Sequence, residues 1–315
     1  MIGVGPENSD RLFTPDSASA SLISLGEIDV SPPTEILPPQ RLPIEYRLST
    51  PAADAGLLML GYTGPGKHGK LLAGDAVDLS LYLQNTTSSP PARDLYVSIL
   101  DAHGNGVAGW QGWPFPQYRP ETWSNGALAQ IPVQFYLPAD LVAGEYSLIA
   151  GFIDPQTGDK PTQSSLNRVR VIRRPATYAP PTTQFEITPS PTFGTHATLI
   201  GYNIHQTEND LNLDLAWEIS QPLLPPHQIF VHLFDASGQQ VAQIDGEPHT
   251  STNRAPTGSW LPGEYLLTQH SLSTPDNASP PFTIKIGLYL PETGARLPVT
   301  AAGATTGDSV EILIP

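Results

Sequence analysis

Residues 282–299 read FTIKIGLYLPETGARLPV, and the fold follows from how this stretch is read. Phe282, Ile284 and Ile286 alternate with polar residues, the period of two expected of a half-buried strand. The run breaks at Pro291, Glu292, Thr293 and Gly294, where proline presets φ and glycine accepts positive φ, so the chain turns back. Residues 296–299 begin the return strand. The same hairpin occurs at residues 146–158, YSLIAGFIDPQTG, with Tyr146 over Phe282 and Gly151 over Gly287. A third, degenerate copy occupies residues 2–12. A strand such as 168–172 or 309–314 closes each of the two later copies, and residues 21–30, SLISLGEIDV, match it.

Working outward, further segments recur at the same offsets. Leu199, Ile200, Gly201 and Tyr202 match Met59, Leu60, Gly61 and Tyr62. The alternating Leu211, Leu213, Leu215 and Trp217 match Val77, Leu79, Leu81 and Leu83. Residues 229–238 match 95–104, and Trp260 matches Trp123. The spacing of roughly 135 residues is too long for a solenoid unit and suits tandem domains. Each unit holds seven or eight short strands with frequent turns, as in an immunoglobulin-like sandwich. The sequence therefore predicts an all-β chain of tandem immunoglobulin-like β-sandwich domains. A partial repeat, hairpin and strand, spans 1–33; a Pro-rich linker 34–56; sandwich repeats 57–173 and 195–315, with a second linker at 174–194.

Composition agrees. The chain has 27 Gly and 35 Pro in 315 residues, which suits short strands and rigid turns because proline is excluded from helix interiors. A net charge of −15 argues against a nucleic-acid partner, whose phosphates require clustered Lys and Arg. There is no cysteine, so disulfides and thiolate chemistry are excluded. No apolar run approaches the roughly 18 residues that cross a bilayer, so no direct membrane insertion is expected. Residues 1–30 lack the series of an export signal. Together with the partial repeat, this gives the expectation that residues 1–33 pair with residues outside this chain, pack on the first full domain or belong to a longer parent chain.

Motifs for catalysis are absent. Residues 61–68, GYTGPGKH, miss the hydroxyl of a phosphate-binding loop and read as a glycine-rich connection between strands. Asp101 and Asp235 begin turns that lack the spaced ligands of a Ca²⁺ loop. Glu247, Asp245 and Glu264 read as loop acidity, and His232 as an outward residue of a strand. Asn85 and Asn277 fit the N-glycosylation acceptor pattern. No catalytic residue, metal ligand or cofactor is expected.

The aromatic segment 110–118, WQGWPFPQY, is the candidate binding feature. Trp123 faces Trp260 and Trp110 faces Ile244 in the other copy, so both should be core. Trp113 faces Glu247, a residue type that is almost never buried unpaired, so Trp113 should be exposed. Trp113, Phe115 and Tyr118 are therefore the candidates for contact with a glycan or a protein neighbour, since exposed aromatics bury much area at low entropy cost. A second candidate is strand pairing through Leu22, Ile23, Leu25, Ile28 and Val30, because open sheet edges recruit strands.

LIGY at 199–202, FVHLFDASGQQVAQIDGEP at 230–248, PTGSWLPGEY at 256–265 and IGLYLPETGARLPV at 286–299 together resemble a known module. It is the β-sandwich at the C-terminal end of large bacterial membrane glycosyltransferases of the protein-mannosyltransferase-like type, also carried by related bacterial surface proteins. The resemblance covers 195–299 well, 57–172 more loosely and 1–30 as a fragment. Transferase chemistry in that family lies in membrane helices that this chain lacks, so no catalytic residue is carried over. The resemblance implies an extracytoplasmic location and a non-catalytic role. The expected function is a structural and interaction protein of a bacterial surface or extracellular assembly, with self-association or another surface protein as partner. A glycan-binding accessory region of a transferase is the alternative.

Overall fold

A computed structural model describes residues 38–207, 210–274 and 280–314. The strand-pairing segment that contains Leu22, Ile23, Leu25, Ile28 and Val30, and the partial repeat around it, lie outside the described residues, as does Asn277. Among the described residues, apart from short 3₁₀ turns, every regular element is a strand. In chain order the first ten are β1 (Tyr46–Arg47), β2 (Ala53–Asp54), β3 (Leu57–Thr63), β4 (Gly69–Leu72), β5 (Ala76–Asn85), β6 (Asp94–Leu100), β7 (Gly106–Gly112), β8 (Leu128–Tyr136), β9 (Gly144–Ile153) and β10 (Thr162–Ile172). They form two sheets, one in the order β1-β3-β5-β8 with β2 also on β3, the other β4-β10-β9-β6-β7. Only β4, which runs parallel to β10, departs from antiparallel pairing here.

The remaining strands are β11 (Phe185–Glu186), β12 (Thr192–Phe193), β13 (Ala197–Gln206), β14 (Asp210–Ile219), β15 (Gln228–Phe234), β16 (Gln240–Gly246), β17 (Tyr265–Ser273), β18 (Phe282–Tyr289), β19 (Val299–Ala301), β20 (Ala304–Gly307) and β21 (Val310–Ile314). Their sheets run β17-β14-β13-β12-β19-β20, with β11 also on β13, and β16-β15-β18-β21. Side chains from both sheets of each pair close one core, from Ala52 to Val171 in the first sandwich and from Phe193 to Ile314 in the second. Alternation drives this: along β8, Ala129, Ile131, Val133 and Phe135 are buried while the residues between them are not.

The two sandwiches share their register in detail. A bulge falls between Met59 and Gly61 in β3, and another between Leu199 and Gly201 in β13. A Cβ on Gly61 would stand 2.5 Å from the Tyr46 carbonyl oxygen, and one on Gly201 would stand 2.6 Å from that of Phe185. The glycine of the repeated LIGY or MLGY motif thus lets a short incoming strand lie against it, and an aromatic pair seals each contact. Tyr46 stacks on Tyr62 at 5.0 Å and Phe185 on Tyr202 at 4.9 Å. Asp101 and Asp235 each fold the turn after the third long strand by accepting backbone N–H groups, from His103 and Asn105 and from Ser237 and Gln239. Side-chain hydrogen bonds, from Asn105 Nδ2 to Asp101 and from Ser237 Oγ to Asp235, act first and with the backbone bonds hold both carboxyls below the usual carboxylate range. Both loops are turns. The stretch 61–68 is the end of β3 and its connection to β4, as its glycines suggest.

Pro39–Pro315 is one compact unit, and within it the sandwiches meet end to end. The turn before β5 packs on the 3₁₀ turn Thr257–Ser259 so closely that a Cβ on Gly74 would stand 2.2 Å from the Gly258 oxygen. Arg254 of the second sandwich donates from Nη1 to Asp75 of the first at 3.1 Å, and its Nε and Nη2 bind both oxygens of Glu247. Leaving β10, the chain inserts Arg174 into the second sandwich, where it pairs with Glu264 and donates to Ser259 Oγ at 2.9 Å. Glu264 is fully buried. It is a structural counter-ion rather than loop acidity, because its Oε1 also accepts the Leu261 N–H at 2.7 Å. Three residues on, Thr177 accepts the Tyr265 N–H at 2.7 Å and so caps the free edge of β17.

Candidate functional site

The aromatic segment connects β7 to β8. Register fixes its comparison with the second sandwich: Gly112 pairs with Leu95 as Gly246 pairs with Ile229, so Trp113 and Glu247 occupy the same place. Each connection ends in a 3₁₀ turn, Pro120–Thr122 or Thr257–Ser259, followed at once by a buried tryptophan, Trp123 or Trp260.

Trp113 is half-buried, not exposed as its match to Glu247 suggests. Its ring packs on Trp123 at 5.6 Å and its Nε1 donates to the Tyr118 carbonyl at 3.1 Å. The indole finds an apolar neighbour in Trp123, whereas Glu247 at the matching position pairs with Arg254. Trp110 is likewise partly buried against the first core. Phe115 and Tyr118 remain exposed, at 39% and 46%. The Tyr118 N–H closes a turn onto the Phe115 carbonyl at 3.0 Å, and its ring lies 5.4 Å from Trp123. The loop therefore presents Phe115 and the Tyr118 edge on a base made by Trp113 and Trp123. Arg119 is held by Asp94 and Glu121, at 2.8 and 2.9 Å, so the loop's cation is already paired.

Asn85 anchors the loop from the end of β5. Its Nδ2 donates to the carbonyls of Thr87, Trp123 and Ser124 at 2.8, 3.0 and 2.9 Å. Its side chain is fully buried, so this match to the glycosylation pattern is structural and not an acceptor site. Asn85 ends β5, whereas Asp75 at the joint precedes its start; ten residues of strand put the two ends roughly 30 Å apart. The aromatic loop thus stands at the end of the first sandwich remote from the second. In the second sandwich the corresponding loop, with Arg254 and Thr257–Ser259, is the one docked against the first.

His232 lies on an outer face, as its strand position indicates, 3.1 Å from Asp245. A second group of polar residues went unnoticed in the sequence. On β17, Thr268 and His270 are buried, with His270 beside a cavity of about 570 Å³ shared with His249 and Asp214. Placing 265–273 over 128–136 would have exposed it, because Ile131 and Val133 stand at those positions in the first copy. Among the described residues no three His, Asp or Glu side chains converge as metal ligands would, and no helix is long and apolar enough to cross a membrane.

Strand order, paired cores and the end-to-end joint define the described residues as all-β, two tandem β-sandwiches. No family model matches the chain, and no curated protein matches it. Among solved structures it is similar to the C-terminal domain of Wzt, at 19% identity and TM-score 0.32 over 42% of this chain and 83% of that one. It is also similar to a CARDB domain from Pyrococcus furiosus solved with di-metal ions, at 12% identity and TM-score 0.24 over 36% of this chain and 90% of that one. A marsupial T cell receptor matches 79% of this chain and 62% of its own length at 15% identity and TM-score 0.23.

Proposed function

We propose that this chain is a non-catalytic structural and interaction protein of a bacterial cell surface or extracellular assembly, in which two coupled sandwiches hold a binding end at a set distance from the rest of the chain. One observation carries the reading. The loop between β16 and β17 of the second sandwich already makes a protein contact through Arg254 and Asp75. The corresponding loop of the first sandwich, between β7 and β8, leaves Phe115 and Tyr118 exposed among the described residues. Association through an added strand, from the segment with Leu22, Ile23, Leu25, Ile28 and Val30, belongs to the same reading and rests on sequence alone. The extracytoplasmic placement rests on the resemblance to the transferase-linked module. Labelling intact producing cells with an antibody to this chain tests it: signal at the surface is expected, and signal only after permeabilisation overturns it.

The exposure of Phe115 and Tyr118 also supports a second reading, a glycan-binding accessory region of a membrane glycosyltransferase. Aromatic faces stack on sugar rings as well as on protein. A glycan array probed with wild type and with F115S/Y118S separates the two, since a glycan signal lost in the variant favours the accessory role.

A further inference from the structure

Trp123 and Trp260 occupy the same place in their sandwiches, each directly after a 3₁₀ turn that its own backbone N–H closes, onto Pro120 or Thr257. Their backbones agree, with φ and ψ of −82° and 135° at Trp123 and −69° and 140° at Trp260. Both side chains are buried. Their indole N–H groups differ. Trp260 Nε1 donates at 2.9 Å to the carbonyl of Ala255, five residues back. Five residues before Trp123 stands Tyr118, whose carbonyl accepts instead from Trp113 Nε1 at 3.1 Å. Trp123 Nε1 is left buried with no acceptor among the described residues.

An indole nitrogen only donates, and a buried donor without a partner has given up hydration for no return. The second sandwich shows how the same framework meets that need, by turning the loop carbonyl to the core tryptophan. No second indole competes there, because Glu247 stands in place of Trp113 and binds Arg254 at the surface. A carbonyl oxygen has room for two donors. Trp123 nevertheless does not reach the Tyr118 oxygen while Trp113 lies where it does.

Two arrangements of the loop follow, and they differ in which indole holds the carbonyl. In the closed one, described above, Trp113 packs on Trp123 at 5.6 Å, and Phe115 and Tyr118 are the exposed rings. In the open one Trp123 donates to Tyr118 as Trp260 does to Ala255, and Trp113 turns outward as Glu247 does. Opening satisfies the buried donor, and water takes the released Trp113 N–H. What it loses is the apolar cover of one indole on the other. Opposed contributions of this kind make a loop bistable.

We propose that the aromatic loop is a two-state element in which the Tyr118 carbonyl passes from Trp113 to Trp123 and releases Trp113 to stand beside Phe115 and Tyr118. Its purpose rests on the reading of this loop as the binding end: an occupant that stacks on aromatic rings selects the open state, which offers three rings in place of two. The exchange itself belongs to the free chain. Relaxation dispersion on the indole N–H groups of the full chain, with no partner present, tests it. Trp113 and Trp123 are expected to exchange at one common rate, while Trp217 and Trp260, both bonded in the core, stay silent. W123F removes the competing donor and should silence Trp113. W113F removes the other donor and keeps a ring over the core, so the Trp123 N–H should exchange with deuterium at least tenfold more slowly than in wild type. Should W123F fail to fold, W113F, on the loop, carries the test. Flat profiles at Trp113 and Trp123, exchange at Trp113 that persists in W123F, or an unchanged deuterium rate at Trp123 in W113F overturns the proposal. A loop that switches as described while F115S/Y118S keeps every glycan signal and surface contact removes the binding reading and leaves the switch standing.

Discussion

Asp75 and Arg254, 179 residues apart in sequence, meet at 3.1 Å across the joint between the two sandwiches. Burial raises the Asp75 carboxyl above its usual range, with Arg254 opposing. Arg254 is held protonated, first by its paired hydrogen bonds to Glu247. The pair orients the joint more than it stabilises it, since Arg254 is 61% exposed and such pairs contribute about 0.2–1 kcal/mol. Close backbone packing at Gly74 and Gly258 is the firmer element.

G74A is expected to open the joint. Gly74 has φ of +89° and its added Cβ would meet the Gly258 backbone. Small-angle scattering should show a longer or more variable particle, while the two cores remain folded. R254A should shift the melting temperature by no more than a few degrees.

R174A or E264A should destabilise the second sandwich far more. Removing one partner strands a buried charge, at a cost of about 3–5 kcal/mol. Urea unfolding followed by tryptophan fluorescence measures this, and a loss below about 1 kcal/mol contradicts the assignment of Glu264 as buried counter-ion.

Acid should weaken the second sandwich through His270. Its folded pKa of about 4 lies below the ordinary value of 6.5, so the unfolded chain binds more protons between these pH values. Stability is full above pH 6.5, falls as pH drops toward 4, and levels off below; the total is roughly 3 kcal/mol. H270V should flatten that part of the pH profile, as read by thermal melts across the range.

Within the aromatic loop, W113A should cost about 2 kcal/mol, less than the 3–5 typical of a fully buried tryptophan. F115S and Y118S should change stability by under about 0.5 kcal/mol. Equal effects at all three positions in thermal melts would contradict the division of the loop into base and exposed edge.

Much of this was legible in the chain. The period-two runs at 77–83 and 211–217, the repeated glycine-tyrosine step and the paired Trp123 and Trp260 announced two related sandwiches. Glu264 and Trp113 were misread for one reason: burial belongs to neighbours distant in sequence. Glu264 is buried because Arg174 reaches it from the linker, and Trp113 because Trp123 lies under it.

Amino-acid order alone settled the strand pattern and the doubling of the unit, because side-chain alternation and turn chemistry act within a few residues. Which loop became the joint, which left Phe115 and Tyr118 exposed among the described residues and where Thr268 and His270 were buried came from folding. Those outcomes depend on contacts between residues such as Asp75 and Arg254, whose distance in space no local pattern encodes.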